Sequence, residues 1–200
     1  MTTMAILISG RGSNMMALAE RCTSGDLDGR IAFVASDRSD APGLDGARRM
    51  GLPTALLPYG ERGRMAAEEA LSDLITREGV DWIVLAGFMR LLSPSFVDSH
   101  RGRIVNIHPS LLPSFPGVDA IGQAWEYGVA VTGVTIHLVD EKMDHGPILA
   151  QEALPVLPTE GRQSLEERMH QLEHRLYGDT LKRLFRCRLT FEGRRVLFDN

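Results

Sequence analysis

Asn106 and His108 stand two positions apart at the end of a short apolar run (Ile104, Val105, Ile107), and Pro109, Pro113 and Pro116 follow. On an extended strand, residues i and i+2 project from one face, so the amide and the imidazole can converge on a single atom. An amide donates hydrogen bonds without changing charge, and an imidazole can donate, accept or carry a proton near neutral pH. Together they suit a carbonyl carbon turning tetrahedral, whose oxygen gains negative charge and needs fixed donors. Pro109 excludes a helical conformation at His108, and the prolines stiffen the loop that follows. The other reading of so short a motif is an asparagine that caps a turn beside a satisfied, half-buried histidine.

Three further stretches carry residues of the right types. Near the start, MAILIS gives way to Gly10-Arg11-Gly12-Ser13-Asn14 and a helical pattern through Met15, Leu18 and Ala19. Strand, glycine turn and helix form a phosphate cradle, because glycines let backbone N–H groups approach an anion that the helix N-terminus favours. It is not the dinucleotide fingerprint, since Met15 stands where GxGxxG has its third glycine, and a purely structural tight turn is the competing reading. Gly87-Phe88-Met89-Arg90-Leu91-Leu92 follows an apolar strand with large side chains around one arginine. That mixture fits an aromatic ligand with a polar edge, or a core-covering loop with Arg90 in a surface ion pair. The third stretch, Asp140 to Gly146 (DEKMDHG), holds Asp144 and His145 in a polar loop too long for a tight turn.

The elements that must position these groups read as an α/β chain. Strands are expected at Met4–Ser9, Arg30–Ala35, Thr54–Leu57, Trp82–Ala86 and from Ile104, with helices at Ala41–Met50, Arg64–Glu78, Ser93–Ser99 and Ala120–Tyr127 between or after them. Alternating strands and helices imply a Rossmann-like, open, twisted and mostly parallel sheet, whose ligands bind beyond the carboxyl ends of the strands. From Val131 the pattern changes, and VTGVTIHLV and ILAQEALPV alternate like the arms of a long antiparallel hairpin. Ser164–Phe185 is the longest helix, with Leu165, Met169, Leu172, Leu176 and Leu184 as its apolar stripe. Its charges, Glu173 and Arg175 among them, read most simply as a solvated face. No repeat or linker interrupts the chain, so a single domain over 1–200 is expected.

Composition narrows the class. At 44% hydrophobic and 24% charged residues over 200 positions, the chain is that of an ordinary globular protein able to bury a core. A net charge of -4 with dispersed basic residues gives no footprint for nucleic acid. Cys22 and Cys187 are far apart and outside any CxxC, which suggests neither a disulfide framework nor a zinc site. No apolar stretch could span a bilayer and no signal peptide is evident, so a cytoplasmic location is the expectation.

Taken together, ISGRGSN, LAGFMRLLSPSFV, NIHPSLLPSFPG and GVTIHLVDEKMDHGPILAQ, in this order and spacing, resemble the folate-dependent phosphoribosylglycinamide (glycinamide ribonucleotide) formyltransferases of purine biosynthesis. The similarity runs to about Tyr177 and weakens over the last twenty or so residues. It implies the formyltransferase fold, 10-formyltetrahydrofolate as cosubstrate and glycinamide ribonucleotide as acceptor. It also implies no metal and no covalent intermediate, in a monomer or homodimer. By that likeness Asn106, His108 and Asp144 are the catalytic trio, and Gly12, Ser13, Asn14 and Glu173 meet the ribonucleotide. Arg64, Met89, Arg90, Leu91, Leu92 and Asn106 meet the folate.

The chain departs from the family at Asp119, where a histidine is common, and at Gly178, where a proline is common. Asp119 would place an acid where a cation often stands, weakening substrate binding, altering the pH dependence or changing the acceptor. Rival readings are a formyltetrahydrofolate deformylase, expected to carry an extra N-terminal domain and to lack the GSN loop, and a methionyl-tRNA formyltransferase, expected to add a basic C-terminal domain. Others are a non-catalytic folate or nucleotide binder of the same fold, and a metal hydrolase built from His108, His137, Asp144 and His145, for which no ligand spacing of the usual kind occurs.

Overall fold

Strand β1 (Thr2–Ile8) is hydrogen-bonded on both sides, and Met4 through Ile8 are each 0% exposed. A strand with neighbours on both edges and layers on both faces has no solvent side, which is why MAILI is apolar without alternation. Burying each of the larger side chains, Met4, Ile6, Leu7 and Ile8, contributes about 2 kcal/mol. The computed structural model describes residues 1–199 and places β1 in a seven-stranded sheet of order β3-β2-β1-β4-β5-β6-β7. The chain divides into two compact units, Met1–Val105 and the residues from Asn106 onward.

In the first unit β1 leads into α1 (Ser13–Thr23), then β2 (Gly29–Ser36), α2 (Pro42–Arg49), β3 (Thr54–Leu56), α3 (Tyr59–Glu78), β4 (Trp82–Leu85) and α4 (Pro94–Ser99). β1 pairs in parallel with β2 and β4, and β2 in parallel with β3, as the alternating strands and helices predict. α3 starts five residues before the expected Arg64, because a short N-terminal turn joins the main helix across a kink at Gly63 (φ 78, ψ 177). Two glycines in YGERGR hide that first turn from a propensity reading. Inside the unit the Glu68 carboxylate of α3, 6% exposed, accepts hydrogen bonds from the Ser93 N–H at 2.8 Å and from the Ser93 hydroxyl. Ser93 in turn caps α4 by accepting from the Phe96 N–H at 3.2 Å.

β5 (Ile104–His108) crosses the boundary between the units and delivers Asn106 and His108 to the second. That unit continues with α5 (Ala120–Tyr127), β6 (Val131–Leu138), β7 (Ile148–Pro155), α6 (Arg162–Leu184), β8 (Arg188–Glu192) and β9 (Arg195–Asp199). β6 and β7 form the expected antiparallel hairpin. Along β7 only Leu149 is buried and partly buried residues alternate with exposed ones from Ala150 onward, whereas nearly all of β6 is buried. Leu165, Met169, Leu172, Leu176 and Leu184 of α6 are buried as their spacing predicts. Glu173 is buried with them, at 6% exposure, and so does not belong to the solvated face that its neighbours suggested. A second antiparallel pair, β8 with β9, was not foreseen from the sequence. Among the described residues, no helix is long and apolar enough to cross a membrane.

Candidate active site

The second unit brings Asn106, His108 and Asp144 together and adds His137 from the end of β6. His108 Nε2 donates to the Phe115 carbonyl at 2.8 Å, which turns Nδ1 toward the Asp144 carboxylate, 3.5 Å from Oδ2. Both ring nitrogens thus face oxygen acceptors. Asp144 Oδ2 also accepts from the Gly117 N–H at 2.7 Å, so the PSFPG turn holds the acid and the imidazole at once. The side chains of His108 and Asp144 are only 6% and 11% exposed, which shields their interaction from water.

His137 is more deeply buried, with a side chain 2% exposed. Its Nδ1–H donates to the carbonyl of Leu138 at 2.8 Å, leaving Nε2 as an acceptor. Burial pushes this imidazole below its usual range, against the raising influence of that carbonyl and of Asp144, so the ring is neutral. The Asn106 Nδ2 amide lies 3.1 Å from Nε2 and donates to it. This bond fixes which end of the amide is the donor and leaves the second N–H of the same nitrogen for another acceptor. His137 lies 3.8 Å from Asp144 Oδ1, too far for a hydrogen bond.

The loops around the cluster are built tightly. Among the described residues Phe115, Asp119 and Asp144 are the non-glycine residues with positive φ, at 52°, 54° and 49°, and all three lie in the loops of this unit. Thr135 Oγ1 donates to the Ser110 carbonyl at 2.7 Å and accepts from the Leu112 N–H, while Gln151 Nε2 donates to the Leu112 carbonyl at 2.9 Å. The β6-β7 hairpin thereby clamps the turn that carries Phe115 and Gly117. At Gly146 a Cβ would lie 1.8 Å from the Leu138 carbonyl oxygen, so only glycine lets the Asp144 loop close against its own strand.

In the first unit, Gly12 sits at φ 72 as the N-cap of α1, and a Cβ there would lie 3.0 Å from the Cα of Gly43. No side chain caps this end, and Ser13 and Asn14 are the first two helical residues, with their N–H groups at the positive end of the helix. Elsewhere in the unit, the Met89 N–H donates to Ser9 Oγ at 2.8 Å, and Ser9 donates to Asp37 at 2.5 Å. Arg90 Nε donates to the other oxygen of Asp37 at 2.7 Å, and its guanidinium lies 5.5 Å from the centre of the Tyr59 ring. Arg90 therefore makes an ion pair, although the Asp37 side chain that receives it is only 3% exposed. Met89 and Leu91 are exposed, Leu92 is buried, and Arg64 is exposed just after the α3 kink.

A family model described as formyl transferase matches residues 2–181. The chain belongs to the formyl transferase family. Its relatives include a phosphoribosylglycinamide formyltransferase of Bacillus subtilis (strain 168), 39% identical over 185 residues, or 92% of this chain and 95% of that protein. A glycinamide ribonucleotide transformylase 1 from Symbiobacterium toebii, known from its crystal structure, superposes with a TM-score of 0.94 at 42% identity, covering 100% of this chain and 95% of the other. A formyltetrahydrofolate deformylase from Pseudomonas syringae pv. tomato superposes at 0.90 with 25% identity, covering 67% of its own chain.

Within this formyl transferase the two departures acquire physical explanations. Asp119 caps α5 by accepting from the Gly122 N–H at 3.2 Å, and it accepts from Arg162 Nη2 at 2.7 Å. Its charge is matched by a partner on α6. Gly178 lies buried within α6, which runs unbroken to Leu184, whereas a proline there would remove a helical donor. His137 is the group that sequence reasoning left outside the trio; a polar ring inside the apolar run VTIHLV was the available signal. Among the described residues, no group of three or more His, Cys, Asp or Glu side chains could hold a metal ion.

Proposed function

We propose that this chain transfers the formyl group of 10-formyltetrahydrofolate to the amine of glycinamide ribonucleotide, as a cytoplasmic enzyme of purine biosynthesis, with residues 1–200 a single formyltransferase domain. The observation that carries this reading is the buried convergence of Asn106, His108 and Asp144, with His137 fixing the amide. Family membership supports it across both units, since the match runs from residue 2 to residue 181. The N–H groups that open α1, at the positive end of the helix, suit the phosphate of the ribonucleotide, which assigns Gly12, Ser13 and Asn14 to it, with Glu173 near the ribonucleotide. Arg64 and the Met89–Leu92 segment take the folate.

The chemistry follows from the donors. As the amine attacks the formyl carbon, a C–N bond forms and the carbonyl π electrons move onto oxygen, giving an oxyanion beside an ammonium. The second N–H of Asn106 donates to that oxyanion, and a protonated His108, whose Nε2 hydrogen is taken by the Phe115 carbonyl, stabilises it by charge. The anionic Asp144 keeps positive charge on the imidazole and accepts the ammonium proton, directly or through water. The proton then passes to the folate nitrogen as its bond to carbon breaks, and the electron pair leaves with that nitrogen. No covalent enzyme intermediate or metal enters the sequence.

Folate cleavage measured with and without glycinamide ribonucleotide tests the proposal. Turnover that requires the ribonucleotide is the expected result. Equal turnover without it would make the chain a hydrolase, like the deformylase that shares its fold.

A further inference from the structure

The family match ends at residue 181, before the β8-β9 hairpin begins. That hairpin nevertheless reaches the loop carrying the candidate catalytic acid. Its turn, Gly193-Arg194, joins the paired residues Glu192 and Arg195, with Gly193 at φ 62. Behind the turn, the hairpin is seated on the end of α6, where the Arg183 guanidinium stacks over the Phe198 ring at 4.1 Å.

Arg194 uses both ends of its guanidinium on one residue. Nη2 donates to the main-chain carbonyl of His145, and Nη1 lies 3.2 Å from the His145 Nε2. The opposite ring nitrogen, Nδ1, donates to Asp140 Oδ2 at 2.7 Å, so the ring is in the tautomer whose Nε2 is free to accept from arginine. Asp140 Oδ1 accepts from the Lys142 N–H at 3.0 Å and closes the near side of the loop. The result is a continuous chain from Arg194 through His145 and Asp140 to Lys142, spanning a segment in which Glu141, Lys142, Met143 and His145 are exposed and have little core packing to hold them.

Asp144 precedes His145, and its backbone has the strained φ of 49. Holding the His145 carbonyl and ring restrains the residue that follows Asp144. Among the described residues the Asp144 carboxylate is otherwise restrained by the Gly117 N–H and by its approaches to His108 at 3.5 Å and His137 at 3.8 Å. We infer that Arg194 is a positioning residue for Asp144, through which the C-terminal hairpin acts as a strut for the catalytic loop. Lysine is a poor substitute, because a single ammonium cannot grip a carbonyl and a ring nitrogen in the same fixed fork. This inference rests on Asp144 being the acid of formyl transfer.

The test combines kinetics with hydrogen exchange on the full chain. Arg194→Ala is expected to lower kcat about tenfold to a hundredfold, the cost of a catalytic group displaced by about an ångström, while KM for both substrates stays within about twofold. Arg194→Lys should fall between it and the parent. In an Asp144→Asn background Arg194→Ala should change kcat by less than about twofold, because the two act through one group. The amides of 141–146 should exchange faster in Arg194→Ala, while those of β6 keep their protection. Additive losses in the double variant, or loop amides and kcat both unchanged in the single one, would overturn the inference. Should Asp144→Asn alone retain parental turnover, the acid assignment falls, and the exchange comparison still decides whether Arg194 holds the loop.

Discussion

Replacing Asp144 with asparagine removes one negative charge and leaves the shape of the side chain unchanged. Asparagine tolerates the left-handed backbone at this position, and its oxygen can still accept from the Gly117 N–H, so the loop stays in place. What is lost is the attraction between a carboxylate and an imidazolium 3.5 Å apart. At an effective dielectric near 20, suited to groups this shielded, that attraction is about 5 kcal/mol. At ~1.4 kcal/mol per tenfold in rate, its complete loss in the transition state would slow the reaction on the order of several thousandfold. Part of the attraction already acts before the oxyanion forms, so kcat should fall about a hundredfold to a thousandfold with little change in either KM. Steady-state kinetics with folate and ribonucleotide varied in turn, on variant protein with parental melting behaviour, provide the measurement. A kcat within about threefold of the parent would refute the electrostatic role of Asp144.

Three further outcomes follow from the geometry. His137→Phe keeps the bulk of the ring and removes the acceptor for Asn106, so kcat should drop about fivefold to tenfold, the worth of one hydrogen bond; an unchanged kcat would leave His137 as packing only. Asp119→Ala should destabilise the fold by about 2 kcal/mol, from a lost helix cap and left-handed strain, whereas Asp119→Asn keeps the cap and should cost less than about 1 kcal/mol with activity intact; urea titration separates the two. Burial pushes the imidazoles of His100 and His137 below their usual range. The unfolded chain then binds more protons than the folded one, so their neutral forms favour folding fully above about pH 6.5, and that contribution is lost as pH falls below it. Stability measured between pH 7 and pH 5 should decline, and His100→Asn should flatten part of the slope; a flat parental profile would contradict this assignment.

The elements that hold the chemistry were legible where a local pattern determines them. MAILI and WIVL announce strands buried on both faces, the change of period at Val131 announces the hairpin, and the spacing of Asn106 and His108 predicts that they share a face. Tertiary pairings left no such trace. The ion pair of Asp119 with Arg162 joins residues 43 apart, and that of Arg90 with Asp37 joins residues 53 apart. The sequence allows Arg90 an ion pair without naming its partner, and it singles out nothing at Arg162. His137 occupies a core position of β6, and only the neighbouring strand supplies the amide that gives it a role. The β8-β9 hairpin escaped notice because its alternation is diluted by Arg188, Arg194 and Arg195, and its apolar residues Phe191 and Leu197 remain 49% and 41% exposed. Glu173 was masked by the other charged residues of α6, Glu166, Glu167, Arg168 and Arg175.

The left-handed backbones at Phe115, Asp119 and Asp144 bear on how this molecule could be made hardier. A glycine at Phe115 would relieve about 1 kcal/mol of steric cost, yet it would give up the edge contact of the ring with Tyr127, 5.9 Å between centroids, and would loosen the carbonyl that steadies the His108 ring. Thermal endurance and turnover both depend on this residue, and hardier variants should be sought far from it.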